Sequence, residues 1–292
     1  MDERALREVV ASLIGRDAVL DDCAVLPDRG RFLVATTDML HESTDFPAGM
    51  TDREIGWMAA AVTLSDIAAM GAQPAIVLLA VGLDRPQRLA GIIAGARDCC
   101  GEHGAVLAGG DLDAHRELTL VSAGVGFADR PVRRSGARPG DIVGIVGVPG
   151  RAQAALEGYT AFRSFLCTPR PRVAEGRILA EAGVTSMMDV SDGLLASLGD
   201  MREASGRGYA IETGRIPPLP GVPRDEARRF ALEGGGDYGL LFTAPPGTPL
   251  PEIPELFVIG RVTDEPVILV DGRPAEIAGF RHRWDGDPPY GL

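Results

Sequence analysis

The chain contains no lysine: all 29 of its basic residues are arginine. That absence excludes the G-x-x-x-x-G-K-[ST] phosphate loop, the strand lysine of protein kinases and any reaction through a lysine Schiff base. If this protein handles nucleotide phosphates, it does so with metal ions, arginine and backbone amides. Histidine is scarce, at 4 in 292 residues, and Cys23, Cys99, Cys100 and Cys167 show no C-x-x-C spacing. Both facts speak against zinc. Adjacent Cys99 and Cys100 read as the buried side of a helix, and reduced, cytoplasmic cysteine is the default expectation. No apolar run approaches the roughly 20 residues of a membrane span. The acidic, amphipathic start MDERALREVV is unlike a signal peptide. Positive charge is also in deficit: the net charge of −12 argues against nucleic-acid or anionic-membrane partners.

What remains is an ordinary globular composition, 45% hydrophobic and 24% charged, long enough for two domains or one large α/β domain. Residues 2–14 read as a short helix, apolar at Leu6, Val9, Val10 and Leu13. A strand follows at 23–26. Another at 32–37 puts Asp38 at a strand's C-terminal end, where α/β folds collect ligand-binding residues. The stretch TDREIGWMAAAVTLSDIAAMGAQP, 51–74, is a helix opened by a Thr51/Glu54 capping box and closed by Gly71 and Pro74. It is apolar on nearly all sides, so it should be buried. Strands at 75–82, 105–108 and 118–127 and a helix at 86–103 complete an α/β or α+β first half. Pro, Gly and Arg cluster at 130–140, which places a boundary there, with domains of 1–132 and 133–292. The second half alternates strands at 141–148, 187–190, 209–212, 234–243, 257–262 and 267–270 with helices at 153–159, 172–182, 194–204 and 225–232.

Asp66 sits inside the apolar helix with no basic residue at helical reach. An isolated buried carboxylate is costly; it either faces a water-filled groove or helps to hold a cation. The same pattern of strand, small residues and acid recurs at Asp21/Asp22, Asp38, Asp111, Asp189/Asp192 and Asp237. Singly, each is an ordinary turn or cap residue. Together they need cations, since two carboxylates about 4 Å apart repel by roughly 4 kcal/mol at an effective dielectric near 20. With no lysine, and arginine near the motifs only at Arg133 and Arg134, hard divalent metals such as Mg²⁺ are the natural answer. Carboxylate-held Mg²⁺ with arginine and glycine turns points to phosphoryl transfer.

In this order, DDCAVL, ATTDML, LSDIAAMGAQP, GGD, RRSGARPGD, MDVSDGL and GGGDYGLLF resemble the thiamine-monophosphate kinase family, of the PurM-like superfamily, from about Asp21 to Phe280. The resemblance implies a PurM-like two-domain fold and a homodimer whose N-terminal strands pair across subunits. It implies ATP as co-substrate, several Mg²⁺ ions, and direct transfer to thiamine monophosphate without a general base. By motif position, Asp22, Thr36, Thr37, Asp38, Asp66, Asp111, Asp189 and Asp192 would be metal ligands. Gly110, Asp111, Arg134 and Ser191 would meet ATP, and Asp45, Gly236 and Phe280 the thiamine phosphate. The pattern departs at Leu20 (usually Gly), Asp45 (usually His), Leu112 (usually Thr), and Gly236 and Gly239 (usually Glu). The departures at Asp45 and Gly236 fall on the substrate side, so the resemblance leaves two rivals: a paralogue with another acceptor, and a non-catalytic nucleotide-binding dimer. Selenophosphate synthetase is disfavoured by the missing lysine, and the hydrogenase maturation protein by the ending PPYGL. Trp284 and Tyr290, in a Pro/Gly-rich tail, would pack on the core or cover the substrate site.

Overall fold

The computed structural model describes residues 3–280; Trp284 and Tyr290 lie outside the described residues. Helix α1 (Glu3–Ile14) opens the chain as its periodicity predicts. Its stripe is not buried, however: Val9, Val10, Leu13 and Ile14 are exposed. Arg7 ties the helix to Asp200 with two hydrogen bonds of 3.3 and 3.2 Å.

Next come β1 (Ala24–Asp28), β2 (Arg31–His41), a helical turn α2 (Glu42–Asp45), the long helix α3 (Asp52–Ala69) and β3 (Gln73–Leu83). The first sheet is finished by α4 (Leu89–Glu102), β4 (Val106–Gly109), β5 (Leu112–Ala114) and β6 (Thr119–Ala128). Its order is β1-β2-β6-β3-β4, with β5 also pairing β3. β4 and β5 run parallel to β3 and the other pairs are antiparallel. Asp38 does not end its strand. β6 pairs with β2 from Phe32 to His41, and that continuous ladder carries the strand past the acid. Side-chain alternation along β2 then sends Thr36 and Asp38 toward α3, and Thr37 and Met39 to the opposite face.

α3 is the central helix. Thr51 and Glu54 form the capping box, the Thr51 N–H donating to Glu54 Oε2 at 2.8 Å, and Gly71 follows at φ +65°. Ile55, Leu64 and Ile67 are wholly or almost wholly buried, each worth about 1.5–3 kcal/mol. From Met58 to Met70 every residue is buried except Asp66. α3 crosses α4 at backbone contact: a Cβ on Gly56 would lie 1.9 Å from the Ile92 carbonyl oxygen, and one on Gly95 1.9 Å from that of Arg53. Neither position tolerates a side chain without prising the helices apart.

The second half runs β7 (Ile142–Val146), α5 (Arg151–Leu156), α6 (Arg163–Cys167), α7 (Val173–Glu181), β8 (Ser186–Val190), α8 (Leu194–Ser205), β9 (Gly208–Ile211) and α9 (Arg224–Glu233). It ends with β10 (Gly239–Ala244), β11 (Leu256–Thr263), β12 (Ile268–Val270) and β13 (Arg273–Pro274). These strands form a second mixed sheet, β13-β12-β9-β11-β7-β10-β8, parallel only between β12 and β9. β8 is buried throughout and packs beside α3. The fold is thus mixed α/β with two sheets, and α3 brings the acid from its own turn against the strand end carrying Asp189.

Candidate active site

The first result of this packing is a carboxylate cluster. Asp22, just before β1, Asp66 on α3 and Asp189 on β8 have oxygens that all lie within 4.8 Å of one another. Asp22 and Asp189 are buried. At such separation a pair of charges repels by about 3–4 kcal/mol at an effective dielectric near 20. Burial, with Asp38, Asp189 and Asp22 adding, holds the Asp66 carboxyl well above the usual carboxylate range. Burial, then Asp22, pushes Asp189 up to about 8. Burial likewise raises Asp38.

Hydroxyls fix these acids. Thr36 donates to Asp66 at 2.6 Å, Thr63 to Asp38 at 2.7 Å, and Ser65 to Asp189 at 2.7 Å. Ser191 donates to the other Asp189 oxygen at 3.3 Å. Thr63 and Ser65 lie outside the set of site residues expected from the sequence. The available signal was their position: with Asp66 they are the only polar residues in the buried run of α3. Asp22 has a cation through space. Arg134, 112 residues away, donates Nη2 to Oδ1 at 2.6 Å and Nε to Oδ2 at 3.1 Å, a forked pair. Burial opposes the Arg134 charge, but Asp22 and Asp200 more than offset it and push its pKa above the usual value. Arg133 meets Asp21 at 2.5 Å, and the Arg134 N–H meets Asp21 at 3.0 Å, so Asp21 is a structural anchor.

The cluster opens onto a cleft of about 270 Å³. Asp38, Asp66, Asp189, Ser191 and Asp192 line it together with Asp45, Gly236 and Phe280. The residues expected on the metal side and those expected on the substrate side therefore share one cavity. Asp45 Oδ2 accepts from the His41 N–H and from Thr44 Oγ1, both at 2.7 Å. Its loop is clamped from behind: Arg88, its side chain 8% exposed, binds Glu42 at 2.7 Å, Asp52 at 2.8 Å and Asp84 at 3.1 Å. Gly236 turns at φ +88°, a conformation that the glutamate usual in the family would adopt only under strain. The Phe280 N–H donates to the Asp192 carbonyl at 2.9 Å, which seats the ring at the cleft.

Three acids or hydroxyls of the expected set stand elsewhere. The Thr37 hydroxyl faces away from the cluster and donates to the Ser122 carbonyl at 3.0 Å. Asp111 is exposed beside β5, separated from β2 by β6 and β3, which puts it roughly 14 Å from Asp38 at ordinary strand spacing. Gly110 goes with it, pressed so closely on Leu79 that a Cβ would lie 1.8 Å from the Leu79 carbonyl oxygen. Asp237 belongs to the repeating acid pattern but caps α5, accepting from the Gly150 N–H at 2.5 Å and the Ala152 N–H at 2.8 Å. Burial raises its pKa to about 6. Asp237→Asn should lower stability by about 1–3 kcal/mol, since its amide nitrogen must face one of two backbone donors. Urea denaturation checks this. A variant as stable as wild type would mean that the cap is dispensable.

A family model described as "AIR synthase related protein, N-terminal domain" matches residues 20–128. The chain is 49% identical over 286 residues to a thiamine-monophosphate kinase of Methanospirillum hungatei JF-1, covering 97% of this chain and 100% of that one. It is 43% identical to one from Halobacterium salinarum, covering 90% and 93%. Among solved structures, AaThiL complexed with AMPPCP and TMP superposes with a TM-score of 0.91 at 26% identity, over 97% of each chain. Thiamine-monophosphate kinase from Stenotrophomonas maltophilia K279a gives 0.79 at 32% identity, over 92% and 96%.

Proposed function

The chain belongs to the thiamine-monophosphate kinase family, and from that premise we propose that it phosphorylates thiamine monophosphate to thiamine diphosphate with ATP. The observation that carries this reading is the shared cleft, in which carboxylates suited to a metal-bound triphosphate adjoin a pocket walled by Asp45, Gly236 and Phe280. An oxygen of the acceptor phosphate attacks the γ-phosphorus. The new P–O bond forms as the bond to the β–γ bridging oxygen breaks, and ADP leaves with that oxygen. The acceptor phosphate is already anionic at neutral pH, so no general base is required. The task of the chain is to bring two anions together in line.

The donor set fits Mg²⁺. It is all hard oxygen, crowded and largely buried, and among the described residues only Asp22 of the clustered acids has an arginine partner. Asp22, Asp38, Asp66, Asp189 and Asp192 would hold the ions, with Thr36 beside them. When bound, they supply neutralisation of the phosphate charge. Ser65, Thr63 and Thr36 keep the carboxylates aimed at the cleft, while Arg134 and Ser191 are placed to meet the nucleotide.

We assign the active form as a homodimer. The outer face of the first sheet, away from α3, carries Leu26, Met39, Ile76, Leu78 and Val106 at 37–62% exposure, an apolar patch suited to a second copy. Such pairing would let the partner subunit's Gly110 and Asp111 complete the nucleotide end. Leu78→Asp is then expected to shift the protein from dimer to monomer in sedimentation and to abolish turnover; a dimer that survives the change would exclude this face. We place the functional division at residues 132/133. A reduced, cytoplasmic setting agrees with four free, buried cysteines. No helix among the described residues is long and apolar enough to cross a membrane.

The deciding experiment is a phosphoryl-acceptor screen with ATP and Mg²⁺. Thiamine monophosphate should be converted to the diphosphate. Transfer to a different acceptor, or background ATP hydrolysis alone, would overturn the reading.

A further inference from the structure

The cleft has an unusual inventory of donors. Five carboxylates line it, those of Asp38, Asp45, Asp66, Asp189 and Asp192, and no arginine or histidine does among the described residues. Three side-chain hydroxyls line it as well, those of Thr44, Ser191 and Tyr238. Thr44 is committed to Asp45 and Ser191 to Asp189. The Gly236 N–H is also spent, on the Ser191 carbonyl at 2.6 Å. Among the described residues the Tyr238 hydroxyl has no such commitment.

Tyr238 is also held in an uncommon backbone state. Its φ of +49° is one of four positive values at described non-glycine residues, the others being Arg29, Glu255 and Asp271, and it alone of the four is aromatic and lines the cleft. A bulky residue in this region is strained and persists where its surroundings enforce it. Here the Asp237 carboxylate is pinned to the start of α5, and the Tyr238 N–H donates to the Val190 carbonyl at 3.0 Å. These two anchors hold the chain entering Tyr238, whose side chain lines the cavity. Burial, then Asp189, Asp38, Asp192 and Asp45, raises the phenol's pKa, so the hydroxyl stays protonated and able to donate, and the ring shares the cleft with those acids.

Resting on the kinase reading above, we propose that Tyr238 is a substrate-binding residue whose hydroxyl donates a hydrogen bond to the phosphate of the acceptor. A neutral donor suits this place. It can hold an anion among carboxylates without competing for them as a cation would, and the chain has no lysine to offer.

The test is Tyr238→Phe, which keeps ring and backbone and removes one oxygen. The expected result is a rise of about tenfold or more in the KM for thiamine monophosphate, with the KM for ATP within twofold of wild type. Thiamine, which lacks the phosphate, is added as a competitor of thiamine monophosphate, and its Ki should stay within twofold. The melting temperature shows that the variant is folded. Unchanged kinetics would overturn the proposal. So would a Ki for thiamine that rises with the KM, which would place the hydroxyl on the ring system, or a rise confined to the KM for ATP. If wild-type protein does not phosphorylate thiamine monophosphate, the kinase reading fails first, and this proposal with it; failure of Tyr238→Phe alone leaves that reading standing.

Discussion

Asp189→Asn and Asp66→Asn should each lower turnover by at least about a hundredfold while leaving the melting temperature unchanged or higher. Both acids are forced together with Asp22 in a buried cluster, and the amide relieves repulsion that the metal-free protein otherwise bears. The accompanying hydroxyl bonds from Thr36 and Ser65 survive in part, because an amide oxygen still accepts them. The proton linkage has a definite sign. With its pKa raised from 3.8 to about 8, Asp189 retains a proton in the native state that the unfolded chain releases. The resulting stabilisation is complete below about pH 4 and is lost as pH rises through 8. Metal-free wild type should therefore melt at a lower temperature at pH 8 than at pH 5, and Asp189→Asn should flatten that dependence. Mg²⁺ should restore the melting temperature at pH 8, since ions bind the deprotonated acids. A large loss of stability in either variant, with no recovery of the alkaline melting temperature by Mg²⁺ in wild type, would make the cluster structural.

Arg134→Ala is expected to cost about 3–5 kcal/mol of stability, because it strands Asp22 as a buried charge. The Arg134 side chain is 11% exposed and that of Asp22 0%, so solvent does little to replace the lost partner. Arg134→Lys keeps the charge, but an ammonium cannot donate along the fork that spans both Asp22 oxygens, so recovery should be incomplete. The double variant Arg134→Ala/Asp22→Asn should regain much of the loss. Denaturant melts of wild type, Arg134→Ala, Asp22→Asn and the double variant measure this coupling. Simple addition of the two single effects would mean that the pair does not act as a unit. In the assay, all three Arg134 variants should lose turnover, since the same residue is placed to meet ATP.

The central helix shows how far reading along the chain reaches. The Thr51/Glu54 box, the apolar run and Gly71 are local signals, governed by a turn or two of helix, and they place α3 correctly. Strands β3, β6, β8 and β10 follow from equally local patterns. The reach of β2 does not, since whether a strand continues past Asp38 depends on its partner β6, some eighty residues on. The exposed stripe of α1 is a similar case: periodicity reports an apolar face but not what covers it.

The sequence by itself determined that acids recur where only metal ions or arginine can balance them, because the chain has no lysine. Ordered motifs carried that to a kinase family. Tertiary structure alone decided which acids converge. Asp22, Asp66 and Asp189 meet from three distant segments, whereas Asp21 and Asp237 serve as anchors and Asp111 stands at another strand. All are aspartates beside strands or turns, alike over any short window. What separates them is through-space distance to Arg133, to the start of α5 or to one another, set by how α3 packs between the two sheets. Tyr238 belongs to the same class: its role depends on a backbone turn and on the hydroxyls around it being already engaged, neither of which is written in its own neighbourhood of the chain.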